Sequence, residues 1–331
     1  MLLTPQLVQQ TSEAVLQAYG DLADQPIQPP PGYVYIDRFY GWEGLDPKAP
    51  TIMEKFGLIF QSAQDSGKYL IAFRGTKTVQ EWIDNVAFVA TEFPDQPQIK
   101  VEEGFLDIYS KALANSQTMR EALQKFMARA KPSELLVTGH SLGSALASLF
   151  AFDVATSLKT PLTLVTYASP NVGTAKWADA FSLAVPNCAR IYNNEDIVPF
   201  VPPAGLGFIP VGESRPLEFE PKFWLFRWDL KSLVTNHSMD NYQQVMLKAI
   251  INQPIEWTGT FADTSQETDW TMASWPAPSG QPRGAARATL IFKLWEGKKI
   301  LGRGPWYNSS RYRGPMGKKA QGSPPVAPPP V

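Results

Sequence analysis

The chain has 331 residues, 44% of them hydrophobic, with a formal charge of −1, two histidines and one cysteine. That length suits one catalytic-sized domain with an appendage. Cys188 has no partner for an internal disulfide, and no run reaches the roughly 18 consecutive apolar residues of a membrane span. Nothing next to Cys188 in sequence would activate its sulfur, so a buried structural thiol is expected. Residues 1–10 read as the start of an amphipathic helix rather than a secretory leader, and with a lone cysteine the expected location is the cytosol, with peripheral membrane contact left open.

In chain order, helical spacing of Leu7, Val8, Val15 and Ala18 predicts a helix over Thr4 to Tyr19, followed by a Pro-rich break through Pro31. Apolar runs at Lys55–Gln61 and Lys68–Arg74 flank Asp65-Ser-Gly and predict a β-hairpin. A helix over Phe105–Arg129 precedes a strand at Leu135–Thr138 and a small-residue helix from Ser144 to Leu158. A strand at Leu162–Tyr167, a helix at Ala175–Ala184, a strand at Ala189–Asn194 and a helix from Ser238 to Ile251 complete the series. Short β-rich runs alternating with helices predict an α/β protein whose central sheet is mainly parallel and covered by helices on both faces.

Beyond residue 254 the composition changes. Five of the ten tryptophans lie there, and Ala288–Trp295 and Lys299–Arg303 read as a hairpin around Glu296-Gly-Lys. From Gln281 onward ten Lys and Arg face one acid, Glu296, a net +9 that leaves −10 for the first 280 residues. The expected organisation is a catalytic domain at 1–254, a basic, aromatic, short β-rich or irregular extension at 255–320, and a disordered Pro-rich tail at 321–331.

The most informative segment is Gly139-His-Ser-Leu-Gly143, a G-x-S-x-G sequence between a strand and a helix. A serine at such a turn is forced into unusual backbone geometry, and glycine on either side lets neighbouring chains pass closely. The following helix aims its N-terminal amides at the space where a negative oxygen develops in acyl transfer. A serine nucleophile needs a base, and the base needs an orienting acid. His140 adjoins Ser141 in the turn and should point away from it, which leaves His237 as the base. Asp196, at the end of the Ala189–Asn194 strand, is the expected acid; Glu195 is one residue off, Asp153 and Asp179 fall within helices, and Asp229 has no strand leading to it.

With these residues in place, the sequence resembles the class 3 lipases, the fungal-type triacylglycerol lipase family of the α/β-hydrolase superfamily. Four motifs match in order: Leu70-Ile-Ala-Phe-Arg-Gly-Thr76, Glu81-Trp-Ile-Asp-Asn85, the Gly139–Gly143 turn, and Asn194-Glu-Asp-Ile-Val-Pro199 with Asn236-His237. The resemblance spans about residues 35–250 and does not cover the C-terminal part. It implies an α/β-hydrolase fold, oxyanion-hole amides at Thr76 and Leu142, and a lid or acyl groove including Trp82, Ile83, Val86, Phe88 and Val89 within the apolar run Val79–Phe93. The aromatic run Phe223–Trp228 is a second candidate wall. One departure is Glu102 in Val101-Glu-Glu-Gly-Phe105, where the family usually has histidine.

The implied activity is hydrolysis of lipid acyl esters through an acyl-enzyme, glycerides first, with no cofactor and no metal. A phospholipase A1 or galactolipase, or an acyltransferase, would share the same site. A non-catalytic hydrolase-fold binding protein with a recruiting Pro-rich end is the alternative from another class. The expected partners are a lipid ester and, through 281–319, an anionic lipid surface, with no nucleic acid expected and the oligomeric state unspecified.

Overall fold

The computed structural model describes residues 1–42, 53–76, 88–112, 116–218, 236–249 and 261–262. Twelve strands and six α-helices are placed among them. The strands are β1 (Tyr33–Trp42), β2 (Met53–Ser62), β3 (Lys68–Phe73), β4 (Ala90–Phe93), β5 (Gln96–Glu102), β6 (Glu134–His140), β7 (Leu162–Tyr167), β8 (Gly173–Thr174), β9 (Cys188–Asn193), β10 (Phe208–Ile209), β11 (Glu213–Glu218) and β12 (Phe261–Ala262). The helices are α1 (Pro5–Leu22), α2 (Glu103–Ser110), α3 (Met119–Ala130), α4 (Leu142–Ser157), α5 (Ala175–Ala184) and α6 (Met239–Ala249). Eight strands form one sheet in the order β1-β2-β3-β6-β7-β9-β11-β12. The pairs β1/β2 and β2/β3 are antiparallel and all pairs from β3 onward are parallel. The expected mainly parallel sheet is therefore present, and its last strand, β12, lies beyond residue 254.

Period-two alternation divides the strand side chains between two cores. In β3, Tyr69, Ile71 and Phe73 face a large core shared with Phe105, Leu123, Leu146 and Trp177, which come from α2, α3, α4 and α5. Leu70 and Ala72 face the opposite way, onto Ala14 and Ala18 of α1. Further along the sheet, Val165, Tyr167 and Ile191 meet Val8 and Val15 of α1 and Tyr242, Val245 and Met246 of α6. Helices thus cover both faces. Each fully buried Val, Leu, Ile, Phe or Met side chain among these contributes about 1.5–3 kcal/mol from area removed from water. Helix α4 is buried on every side from Leu142 to Val154, which explains a sequence of Ala, Leu, Phe and Ser with no polar face.

Several elements differ from the sequence reading, β1, β11 and β12 among them, which it did not include. The helix expected over Phe105–Arg129 is two helices, α2 and α3. Lys111 turns extended and ends α2, while Thr118 starts α3 with a reciprocal capping box to Glu121. A Thr-x-x-Glu start of this kind outweighs continuous apolar spacing. A further difference is a smaller sheet, β10-β8-β5-β4, that the alternation did not suggest. It takes in the end of the run expected to form a lid: Ala90–Phe93 is strand β4, paired with β5, and Phe93 is buried against Phe152 and Trp177. Phe93 reaches the core because the turn at Asp95 pairs β4 with β5 as a hairpin. The predicted hairpin at 288–303, the aromatic run at 223–228 and the Pro-rich tail lie outside the described residues.

Candidate active site

Strand β6 delivers Ser141 to the end of the sheet, and α4 begins at the next residue. Ser141 has φ 57° and ψ −131°, a conformation that costs a non-glycine residue about 1–3 kcal/mol. Packing holds it there. A Cβ on Gly139 would lie 2.4 Å from the carbonyl oxygen of Gly143, and one on Gly143 would lie 2.5 Å from those of Phe73 and Arg74. Only glycine lets α4 sit this close to β6 and β3. Ser144 adds a clamp, its Oγ lying 2.6 Å from the Gly139 carbonyl oxygen and 2.8 Å from that of Tyr167. Ser141 makes no side-chain capping bond to the amides of α4, so the first-turn N–H groups, Leu142 included, are not capped by the serine oxygen.

Asp196 and His237 meet across 41 residues. His237 Nδ1 lies 2.7 Å from Asp196 Oδ2, and both side chains are buried. A carboxylate only accepts, so Nδ1 carries the proton and Nε2 is left with its lone pair. His237 Nε2 is buried and has no hydrogen-bond partner within the described residues. Asp196 is fixed by two further donors: the Tyr242 hydroxyl to Oδ2 at 2.9 Å and the Val198 amide to Oδ1 at 3.0 Å. The Tyr242 hydroxyl in turn accepts from Asn193 N–H at 2.7 Å, tying α6 to the end of β9. Close by, the buried Arg190 donates through Nη2 to the carbonyls of Ser169 and Pro199, shaping the loop on which Asp196 sits.

His140 is not a free base. Its Nδ1 lies 2.8 Å from the Tyr19 hydroxyl, and its Nε2 lies 2.9 Å from the carbonyl oxygen of His237. Burial, and then the neighbouring His237, holds its pKa well below the ordinary imidazole range. The two imidazole rings lie 4.6 Å apart between centroids, so the residue preceding Ser141 is in ring contact with His237.

Thr76 is buried just past the end of β3. Arg74 supports that turn: its guanidinium donates to the carbonyls of Lys55 (2.7 Å) and Gly75 (2.6 Å) and pairs with Glu54 at 2.8 Å. Gly75 presses on the serine turn, since a Cβ there would lie 2.8 Å from Ser141 Cβ. Among the lid candidates, Phe88 is half-buried against the large core and Val89 is exposed, whereas Trp82, Ile83 and Val86 lie outside the described residues. Glu102 caps α2 by accepting from Phe105 N–H at 2.9 Å; burial pushes its carboxyl up to about 7. Cys188 is a buried free thiol, pushed up to about 12 by the same cause, and so stays protonated at neutral pH. Among the described residues, no group of three or more His, Cys, Asp or Glu is placed to hold a metal ion, and no helix is long and apolar enough to cross a membrane.

Sequence reasoning passed over Tyr19, Arg190 and Tyr242, and took in Arg74 only as part of the Leu70–Thr76 motif, with no role of its own. Each acts through a partner far away in the chain, and an isolated Tyr or Arg carries no spacing signal. Tyr242 follows His237 by five residues within the helix expected from Ser238 to Ile251, which is the one hint it offered.

Comparison with known proteins places this arrangement. The profile "Lipase (class 3)" matches residues 70–206, the stretch that carries the Phe73-Arg-Gly-Thr76 turn, the serine turn and Asp196. The lipase of Rhizomucor miehei is 36% identical over 157 residues, covering 45% of this chain and 42% of the relative. The chloroplastic phospholipase A(1) DAD1 of Arabidopsis thaliana is 30% identical over 148 residues, 40% of this chain and 33% of the relative. The secreted mono- and diacylglycerol lipase A of Penicillium cyclopium is 31% identical over 175 residues, 53% of each. The matches thus span only a third to about half of the length of these relatives. Among solved structures, the native propeptide complex of Rhizomucor miehei lipase superposes with TM-score 0.52 at 24% identity, covering 65% of this chain and 70% of that one. A lipase from Rhizopus microsporus var. chinensis gives TM-score 0.52 at 21% identity, covering 71% and 84%. These superpositions establish the α/β-hydrolase fold, and the profile match shows that residues 70–206, the serine turn among them, are similar to the class 3 lipases.

Proposed function

We propose that this chain is a serine hydrolase that cleaves carboxylic esters of lipids, glycerides first, with Ser141 as nucleophile, His237 as base and Asp196 as its orienting acid. The observation that carries this reading is the buried His237–Asp196 pair, with Nδ1 committed to the carboxylate and Nε2 left over, in ring contact with His140, the residue before a serine held at φ 57°. His237 Nε2 takes the Ser141 proton as Oγ attacks the ester carbonyl, and Asp196 stabilises the imidazolium. The oxyanion is received by the amides of Thr76 and Leu142, each such donor contributing about 3 kcal/mol to transition-state stability. Collapse expels the alcohol, protonated by His237, and leaves an acyl-Ser141. Water, deprotonated by the same nitrogen, then releases the fatty acid.

Several relatives are named for lipase activity and others for phospholipase A1 or galactolipase activity. Glycerides are the first choice because the 36% identical relative is named a lipase. Of the described lid candidates, Phe88, half-buried against the large core, is the one suited to an apolar acyl wall. The lone, buried Cys188 suits a reducing location such as the cytosol. The test is a series of esters from acetyl to oleoyl, run as diacylglycerols and as diacyl phospholipids. The reading expects octanoyl and longer chains to be preferred, with glycerides above phospholipids. A preference for acetyl esters would contradict a lipid substrate, and a preference for phospholipids would move the assignment to a phospholipase.

A further inference from the structure

Tyr19, near the end of α1, lies where three segments of the site meet. Its hydroxyl accepts a hydrogen bond from Gly75 N–H at 2.9 Å and lies 2.8 Å from His140 Nδ1. His140 Nε2 lies 2.9 Å from the His237 carbonyl oxygen. The directions of these bonds are determined. A carbonyl only accepts, so His140 Nε2 carries a proton; the ring is neutral, so Nδ1 is a bare acceptor and the Tyr19 hydroxyl must donate to it. The order is Gly75 N–H to Tyr19 Oη, Tyr19 O–H to His140 Nδ1, and His140 Nε2–H to the His237 carbonyl.

We propose that Tyr19 and His140 form a positioning relay that fixes the oxyanion turn, the serine turn and the base relative to one another. Resting on the serine-hydrolase reading above, the proposal gives α1 a part in that chemistry without contact with substrate. The β3–β6 ladder ends at Phe73 and Gly139, before Gly75, Thr76 and Ser141 are reached, and His237 precedes α6. The relay joins them in three bonds spanning 56, 121 and 97 residues. There is little slack at the junction: a Cβ on Gly75 would lie 2.5 Å from Tyr19 Oη, 2.8 Å from Ser141 Cβ and 2.9 Å from the His140 carbonyl oxygen. Burial raises the Tyr19 phenol far above its ordinary range, so it keeps the proton it donates.

The test uses the full chain and a p-nitrophenyl phosphonate, which reacts with the serine through the same base and oxyanion site. Tyr19→Phe should slow both the phosphonylation rate and kcat on a soluble ester by roughly 10-fold per active site, with KM within about twofold, since small misplacements of reacting groups act on the chemical step. His140→Ala should lose at least as much. His140→Gln, whose amide offers an acceptor and a donor, should recover most of that loss. The Tyr19→Phe/His140→Ala double variant should be no worse than the poorer single variant, as expected for parts of one unit. Additive losses, or a Tyr19→Phe chain labelled as fast as wild type, would overturn the relay and leave the hydrolase reading standing. A wild-type chain that the phosphonate does not label would remove both. Folding of the variants is not required for a second measurement. With two histidines in the chain, the nitrogen-15 shifts of wild-type His140 should report an Nε2–H, Nδ1-bare ring from pH 5 to 9, and an Nδ1-protonated ring contradicts the proposal.

Discussion

Asp196 accepts three hydrogen bonds, from His237 Nδ1, Tyr242 Oη and Val198 N, and each removes a degree of freedom from the carboxylate. The Tyr242 phenol is held far above its ordinary range by burial and by Asp196 itself, so it donates throughout the working pH range. An Asp196→Asn variant can turn an N–H toward His237 and force the wrong tautomer. We expect it to lower kcat by about 10⁴-fold while leaving the circular dichroism spectrum and Tm close to wild type. Tyr242→Phe removes one donor and also leaves the Asn193 amide without its acceptor. A loss of about 1–2 kcal/mol in stability is expected, read by denaturant unfolding. At this scale the sequence was most legible where chemistry is scarce. With two histidines, one of them inside the serine turn, His237 was identifiable. Asp196 was found because a strand leads to it, whereas Tyr19, Tyr242 and Arg190 belong to common residue types whose roles depend on chain crossings that spacing does not encode.

At the level of elements, the glycines of the serine turn are a packing requirement of α4 against β6 and β3. Gly143→Ala would drive a methyl group into the carbonyls of Phe73 and Arg74, backbone atoms that cannot swing aside. A destabilisation of about 3 kcal/mol follows from overpacking of this kind, and thermal unfolding should show Tm lower by roughly 6–12 °C. The cap of α2 makes a pH-dependent prediction. Burial raises the Glu102 carboxyl from 4.5 to about 7, so between those values the folded chain holds a proton that the unfolded chain has lost. Stability therefore falls as pH rises through that window, by at most about 3 kcal/mol. Asp107, pushed up to about 6 chiefly by burial, adds a smaller slope of the same sign. Glu102→Gln keeps an acceptor for the Phe105 amide and should flatten most of the decline in urea stability between pH 5 and 7. These local features explain what periodicity alone could not give: the Thr118 capping box that divides α2 from α3 is a side-chain event, and β4 and β5 are too short and too mixed in polarity to alternate visibly.

On the scale of the whole molecule, the sheet and its two helical layers bring residues from α1, β3, β6, the β9 loop and the start of α6 to one place, which is why both ends of the described chain bear on a single serine. The order of strands and helices through the parallel part of the sheet from β3 to β9 was readable from the sequence, because βαβ units carry long apolar runs, whereas β11 and β12 were not read. The first strand, β1, was not, since its outer face keeps Val34, Ile36 and Tyr40 exposed and gives no clean polar alternation. We propose that the basic stretch 281–319 docks the enzyme on anionic lipid, each basic residue near such a surface contributing about 1 kcal/mol. Removing residues 281–331 keeps β12 in the chain, and should leave hydrolysis of a soluble ester within about twofold while weakening binding to phosphatidylserine vesicles at least 10-fold at low salt. Vesicle binding that is unchanged by the deletion would rule out that role.

The measurement that bears most directly on the central claim is mass-spectrometric mapping of the full chain after reaction with a serine-directed phosphonate, alongside ester hydrolysis by Ser141→Ala. One adduct, on the peptide containing Ser141, with hydrolysis lost in the variant by a factor of about 10⁶, is the predicted result. An adduct elsewhere, or hydrolysis that survives in Ser141→Ala, would contradict it.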